Sequence, residues 1–378
     1  MPILSFDPIR DRLCQAEARR WTLEPVGAAL GLAFAARLPA SRDPDTWDSL
    51  AAAAEVPGRG VLRRKKMRQK LYRPIFHYSF LHPKFWGVWL ALCAVWLCAF
   101  LPRRLVYAVG APLGSAFCAV NKKRRAIAAA NLALCFPEQS EAWRRQLLRE
   151  HFRAYGRAML SMGLLWRGSD RRLDQLVRCS GVERLEKTAR AGRKVILLAA
   201  HTITVEFTGI FLSRIGPTVV MMNPLKNPLL NWVMCRGRLR YDGAQLVTRE
   251  HGLACLLRLL RAPGCMFSYY TPDGDFGAEQ SVFVPFFSVP AATLPTLGRM
   301  ARLANALVVP VFSRLAPDGS YELTVHDALQ NFPGDDEIEN AARMNRALEQ
   351  TIRAAPEQYM WTLRRFKTRP PGESPPYS

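Results

Sequence analysis

The chain has 378 residues, with 53 Lys and Arg against 31 Asp and Glu, a formal charge of +22. Apolar residues make up 49% and aromatics 10%, which excludes a disordered polyelectrolyte and supplies one large domain of roughly 250 residues plus appendages. The charge points to anionic partners: nucleic acid, a membrane surface, or an acidic protein or substrate.

Along the chain, the first 62 residues hold eight acids and seven bases, so the surplus charge lies further on. Their Ala, Pro and Arg content reads as a poorly ordered extension, and no signal-peptide layout is present. A basic juxtamembrane segment over 67–84 follows, drawing on a cluster from Arg63 to Arg73. Phe85–Pro102 then runs for eighteen residues without a charge, between Lys84 and Arg103–Arg104. At 1.5 Å per residue this is about 27 Å, close to a hydrocarbon core of about 30 Å. It is expected to be a membrane helix or a deeply inserted one, with Trp86, Trp89 and Trp96 near the interface. Six bases in the twenty residues before it, against three after, would place the N-terminus in the cytoplasm if the helix crosses. Leu105–Val120 is apolar but interrupted by Gly110, Pro112 and Gly114, and suits the membrane surface.

Residues 103–378 read as one α/β domain. Arg144–Trp166 has helical periodicity, and short apolar runs at Val195–Ala199, Val219–Met222, Met266–Tyr270 and Leu307–Phe312 suit buried strands. Helical stretches near Thr204–Arg214, Leu229–Arg240, Leu253–Arg261, Leu294–Ala304 and Ala341–Ala354 alternate with them. That alternation predicts a mostly parallel sheet flanked by helices.

Chemistry is expected where strands end. His201 directly follows the run VILLAA, and Glu206 stands five residues later in HTITVE. In open α/β sheets ligands bind at the carboxyl ends of strands. A carboxylate accepting from one imidazole nitrogen would fix the tautomer and leave the other nitrogen as a general base. Arg236, Arg238 and Arg240 in CRGRLRYDG read either as a solvated helix face or as an anion site. Asp273 and Asp275 in YYTPDGDFG follow another strand and are compatible with an ordinary turn. No second histidine stands at ligand spacing, so no metal is assigned. The nine cysteines form no CxxC pair, against a zinc knuckle or a secreted disulfide scaffold; Cys235 reads as helix packing. The run from Tyr359 to Pro370 mixes aromatics and bases, which fits stacking on nucleic acid, an anionic lipid headgroup, or a helix end with snorkelling bases.

From about Leu81 to Tyr377 the chain resembles the late acyltransferases of lipid A biosynthesis, the lauroyl/myristoyl transferases of the lysophospholipid acyltransferase superfamily. The landmarks are LHPKFW, NLALCFPE, HTITVE, NPLLNWVMCRGRLR, PDGDFG, SVFVPFFSVPAAT and PEQYMWTLRRFKTRP, in that order. Leu363 stands where a histidine is frequent in the family, and Gly274 and Ser161 also depart from its usual residues. Residues 1–66 have no counterpart, so a start taken too early at Met1 instead of Met67 is an alternative to the extension.

The resemblance implies a glycerolipid acyltransferase-like fold and a catalytic pair of His201 and Glu206. It puts Arg238 and Asp273, together with Asp275, on the substrate side of the site. It implies no cofactor: the donor is a fatty thioester of acyl carrier protein, and the acceptor is an anionic, Kdo-bearing lipid A precursor acylated on a hydroxyl. The setting would be the cytoplasmic side of the bacterial inner membrane, in lipopolysaccharide biosynthesis, with acyl carrier protein and membrane as partners and no nucleic acid. The alternative is a superfamily member acylating a glycerophospholipid or another membrane lipid. The apolar stretch Val282–Val289 and the Met-rich Val219–Pro224 are candidate walls for an acyl groove, with ordinary core as the alternative for any one residue.

Overall fold

The computed structural model describes residues 71–263 and 267–377; the extension over 1–66 and the first part of the basic segment lie outside them. Among the described residues the first α-helices are α1 (Trp86–Cys98), α2 (Arg103–Val120), α3 (Lys122–Cys135) and α4 (Glu141–Arg167). A short α5 (Asp170–Asp174) leads into β1 (Val177–Ser180), α6 (Val182–Arg190), β2 (Lys194–Leu198), α7 (Val205–Ile215), β3 (Thr218–Met222), α8 (Pro228–Arg238) and β4 (Ala244–Thr248). Then come α9 (Gly252–Arg261), β5 (Phe267–Tyr270), β6 (Val282–Phe286), β7 (Val289–Thr293), α10 (Thr296–Ala304), β8 (Ala306–Leu315), β9 (Tyr321–Val325) and α11 (Glu337–Ala354).

Seven strands form one sheet in the order β1-β9-β8-β2-β5-β3-β4, and β6 and β7 form a separate antiparallel hairpin. Within the large sheet only β8 and β9 run antiparallel. β2 shows why both faces are covered. Val195, Ile196, Leu197 and Leu198 are all fully buried, and alternate side chains enter two different cores: Ile196 and Leu198 on one side, Val195 and Leu197 on the other. A continuous apolar run is what a parallel strand roofed on both faces requires.

Helix α4 is the platform for the N-terminal helices. The Ser140 hydroxyl caps it by accepting from the Trp143 N–H at 3.2 Å, and its 27 residues span about 40 Å. Small residues let other backbones lie directly on it. A Cβ on Gly114 would sit 1.9 Å from the Phe152 carbonyl oxygen, and one on Gly163 would sit 2.0 Å from the Val95 carbonyl oxygen. Gly114→Val is therefore expected to destabilise the fold by about 1–3 kcal/mol through overpacking, read as a lowered melting temperature of the purified protein.

The crossing expected over 85–102 is corrected here. The helix in that region, α1, has 13 residues, about 20 Å of rise. Among the described residues no helix is long and apolar enough to cross a membrane. A turn after Cys98 ends α1, and Pro102 stands at the N-cap of α2, an entrance position where a proline ring costs no hydrogen bond. One side of α1 is also covered by protein. Leu92 is buried, Trp89 Nε1 donates to the Phe80 carbonyl at 2.8 Å, and Trp96 packs edge-on against Trp89 beneath the Arg167 guanidinium. Two of the three tryptophans assigned to an interface thus face inward; Trp86 alone is largely exposed. Leu105–Val120 is not broken by its glycines, which are the contact points of a continuous α2. The described end of the basic segment is a strap over α8: Phe76, Phe80 and Phe85 cluster with Trp232, and the Tyr72 N–H donates to the Leu246 carbonyl at 2.8 Å.

Val282–Val289 takes the core reading at Val284, Phe286 and Phe287, which are buried. It is the β6–β7 hairpin, turned by Phe287 and Ser288 at φ values of 51° and 66°, the left-handed backbone a two-residue hairpin turn needs. Phe287 is a costly residue there, held because its ring is buried against Phe136, Phe286 and Trp361. These side chains fill the core.

Candidate active site

His201 lies three residues past the end of β2, and Asp273 three past the end of β5. The two strands are parallel neighbours, with Leu198 paired to Tyr270, so residues 72 apart in sequence meet at one carboxyl edge. Asp273 is fully buried and holds His201 twice. Its Oδ2 accepts from the His201 backbone N–H at 2.8 Å, and its Oδ1 lies 2.5 Å from His201 Nδ1. The donating nitrogen is therefore Nδ1, and in the neutral ring Nε2 carries the acceptor lone pair. Thr271 Oγ1 lies 3.3 Å from Nε2, and the imidazole keeps about a third of its surface open, 32%.

The partner expected for the imidazole, Glu206, is elsewhere. It sits on the first turn of α7, and its carboxylate is taken by Arg238 at the end of α8. Arg238 Nε donates to Glu206 Oε1 and Oε2 at 3.1 and 3.0 Å, and Nη2 also donates to Oε1. The guanidinium and carboxylate are 22% and 11% accessible. The physical reason is directional. Entering α7 at Val205 turns Glu206 towards the end of α8, while β5 delivers a buried carboxylate straight to Nδ1. The His201–Glu206 pairing read from the five-residue spacing is thus replaced by two coupled pairs, His201–Asp273 and Glu206–Arg238.

Electrostatics follow from that arrangement. Burial opposes charging of His201, but the charge and hydrogen bond of Asp273 outweigh it, so its pKa lies above the ordinary 6.5, with Arg238 pulling the other way. For Asp273 burial alone would raise the pKa; the His201 contacts and the more distant Arg365 reverse this and hold it below 3.8. Burial works against the charge of Arg238 too, and Glu206 more than restores it. Arg238 Nη1 also reaches the Met222 sulfur at 3.3 Å, so one member of the Met-rich stretch does border the site. Cys235 is fully buried beside Met222, and burial pushes its thiol up to about 11. It is a packing residue.

Two further residues drawn from the sequence have structural partners. Asp275 does not face the dyad: its carboxylate accepts from the Thr368 N–H and hydroxyl at 2.6 and 2.7 Å, pinning the C-terminal segment to the turn. Arg240 donates to the carbonyls of Leu165 and Gly168, at 2.8 Å for the latter, locking α8 to the end of α4. The Tyr359–Pro370 run is neither a stacking surface nor a helix end. Tyr359, Trp361, Arg365 and Phe366 are fully buried, and Arg365 donates to the Ala292 carbonyl and Thr293 Oγ1.

That run also reveals a brace the sequence did not disclose. Thr202 and Tyr359 form an isolated antiparallel bridge. The Ile203 N–H donates to the Gln358 carbonyl at 2.8 Å, and the Met360 N–H donates to the His201 carbonyl at 2.9 Å. Burial, and then the field of Asp273, keep the Tyr359 phenol protonated. Thr271 and Tyr359 are ordinary in type, and only adjacency in the fold marks them.

A carboxylate-backed imidazole whose Nε2 can accept a proton, at the carboxyl edge of a mostly parallel sheet and near a carboxylate-held arginine, defines a site equipped for proton transfer close to a positive charge. The sequence profile of the bacterial lipid A biosynthesis acyltransferases matches residues 73–368, and the chain belongs to that family of acyltransferases. It is 38% identical over 304 residues to a lipid A biosynthesis acyltransferase of Haemophilus influenzae, covering 80% of this chain and 94% of that one. It is 36% identical over 301 residues to the lipid A biosynthesis lauroyltransferase of Escherichia coli, covering 79% and 97%. To the myristoyltransferase of Escherichia coli it is 34% identical over 315 residues, covering 82% and 96%.

Proposed function

We propose that this enzyme moves a fatty acyl chain from an acyl carrier protein thioester to a hydroxyl of a Kdo-bearing lipid A precursor, at the cytoplasmic side of the bacterial inner membrane. The observation that carries the chemistry is the Asp273-backed imidazole, whose Nδ1 is held by the carboxylate so that Nε2 can take a proton. His201 Nε2 takes the proton as the acceptor hydroxyl attacks the thioester carbonyl, a C–O bond forms, and the C–S bond breaks. The imidazolium then returns the proton to the departing thiolate. Asp273 fixes the tautomer and stabilises the charged ring. Arg238, oriented by Glu206, supplies positive charge for an acceptor phosphate or for the carbonyl oxygen as it gains charge.

The net charge of +22 suits an acidic carrier protein and a polyanionic lipid. The relatives named as lauroyl- and myristoyltransferases support a fatty acyl donor. The test is incubation of the purified chain with radiolabelled acyl carrier protein thioester and, separately, Kdo-bearing lipid A precursor or lysophospholipid. Label is expected in the lipid A precursor; label confined to glycerophospholipid would overturn the assignment.

A further inference from the structure

Among the described residues two side chains of Asp, Glu, Lys or Arg are fully buried, one anion and one cation: Asp273 and Arg365, each 1% exposed. Taking either charge out of water is costly unless a counter-charge offsets it. The anion has its task behind His201. The cation has none in the reaction above, and its immediate neighbours do not account for it. Arg365 Nη1 donates to the Ala292 carbonyl at 2.7 Å and Nη2 to Thr293 Oγ1 at 2.9 Å, both neutral acceptors. Its Nε has no hydrogen-bond partner, and the guanidinium stands 5.0 Å from the centre of the Phe286 ring. Among the described residues no carboxylate forms an ion pair with it.

The C-terminal segment carries Arg365 around the back of the dyad. Residues 358–360 are bonded to the loop of His201, and the Thr368 N–H donates to Asp275, two residues beyond Asp273, at 2.6 Å. Arg365 lies on the chain between these two anchors. Tyr359 fills the space beside it. The Tyr359 ring and the Arg365 guanidinium share Phe286 as a neighbour. The Tyr359 hydroxyl is buried without a hydrogen-bond partner among the described residues, and the charges acting on it are those of Asp273 and Arg365.

The charges then balance. Glu206 is matched by Arg238 and Asp273 by Arg365, so with a neutral imidazole the site carries no net charge. Without Arg365 the buried Asp273 carboxylate would be offset by a proton kept on His201, and an imidazolium cannot serve as a base. We infer that Arg365 is a positioning residue of the dyad, whose buried charge balances Asp273 so that His201 can stand neutral and accept the proton of the attacking hydroxyl. This role for Arg365 rests on the reading of His201 as base. The other groups nearby do not supply the charge. Beside Asp273 are His201 itself and the phenols of Tyr269 and Tyr359, both kept protonated by burial, while Arg238 is occupied by Glu206. Around Arg365, the β6–β7 hairpin offers only Phe286, Ala292 and Thr293. Cys135 of α3 and Tyr377 feel its charge, but burial pushes both up and leaves them neutral. Glu349 and Arg353 of α11 also act on Cys135, and they act on each other beside Phe287.

The test reads the imidazole directly. Titration of His201 is followed by NMR in the full chain, its signal identified by its loss in His201→Ala. Arg365→Gln keeps a donor for the hairpin and removes the charge. It is expected to move the titration upward by about one pH unit. Acyl transfer should then fall about 3- to 30-fold at neutral pH, while the alkaline plateau stays within about 3-fold. Arg365→Lys keeps the charge and should leave the titration in place. Asp273→Asn, which removes the anion, should move it the other way. An arginine that merely braces the hairpin would lower transfer at every pH and leave the titration unmoved. That result, or an equal shift in Arg365→Lys, overturns the inference. If Arg365→Gln does not fold, Asp273→Asn is added to it. Recovery of the fold supports the balance of charge between the two residues, and a double variant that also fails to fold assigns Arg365 to the hairpin alone and overturns it. A chain whose titration moves as expected but that transfers no acyl group upholds the counter-charge and removes the acyl-transfer reading instead.

Discussion

Asp273→Asn is expected to lower acyl transfer by on the order of 10³–10⁴-fold and to move the acid limb of its pH profile downward. The asparagine occupies the same space but presents no charge to Nδ1, so the imidazole loses both its fixed tautomer and the partner that favours its protonated form. In the unaltered enzyme the pKa of His201 is raised above 6.5. A base must be neutral to act, so the rate should climb as pH rises through that elevated value. Stability should run the other way. The contribution of the raised group is fully present below its unfolded pKa and is lost as pH rises through its folded pKa. Rising alkalinity thus brings the base into its working form while removing part of what stabilises the pair. His201→Ala should cost on the order of 10²–10⁴-fold at pH values where the imidazole is neutral. A pH limb left unmoved by Asp273→Asn would assign the titration to another group, and near-normal transfer by His201→Ala would dismiss the imidazole as base.

Breaking the second pair should have a different signature. Arg238→Met leaves the Glu206 carboxylate, 11% accessible, without its cation. Removal of one partner of a buried ion pair costs about 3–5 kcal/mol, and the lower end fits a pair with this much access to water. Chemical denaturation should show the loss. Adding Glu206→Gln removes the stranded charge, so the double variant should regain most of the stability. Transfer discriminates between the roles of the arginine. If Arg238 touches substrate, the double variant folds and stays inactive, by at least about 100-fold. If Arg238 serves only to neutralise Glu206, activity returns together with stability.

The sheet was legible because its central strands, β2, β3, β5 and β8, are mostly apolar: β2 runs unbroken from Val195 to Leu198, and the others are broken only by Thr218, Ser268, and Ser313 with Arg314. The edge strand β1, Val-Arg-Cys-Ser, is half polar and carries no such signal. In the site, His201 was marked by its place at a strand end. Its partner was misassigned because spacing reports neighbours along the chain, whereas strand order decides which carboxylate arrives beside the ring. Asp273 is 72 residues distant, and only the pairing of β2 with β5 brings it in. The apolar run over 85–102 misled for a related reason. Hydropathy registers how many side chains avoid water, but α4 shelters one side of α1, and a turn after Cys98 ends it.

The bridge at Thr202 and Tyr359 makes the reactive imidazole dependent on chain assembled far downstream. A polypeptide released from the ribosome before Gln358 would contain every side chain assigned a chemical role, yet lack the backbone partners that steady the loop behind His201. Truncated translation products would therefore keep the Asp273 contacts to His201 but lack the brace behind its loop, and full thioester consumption would wait for maturation of the whole domain.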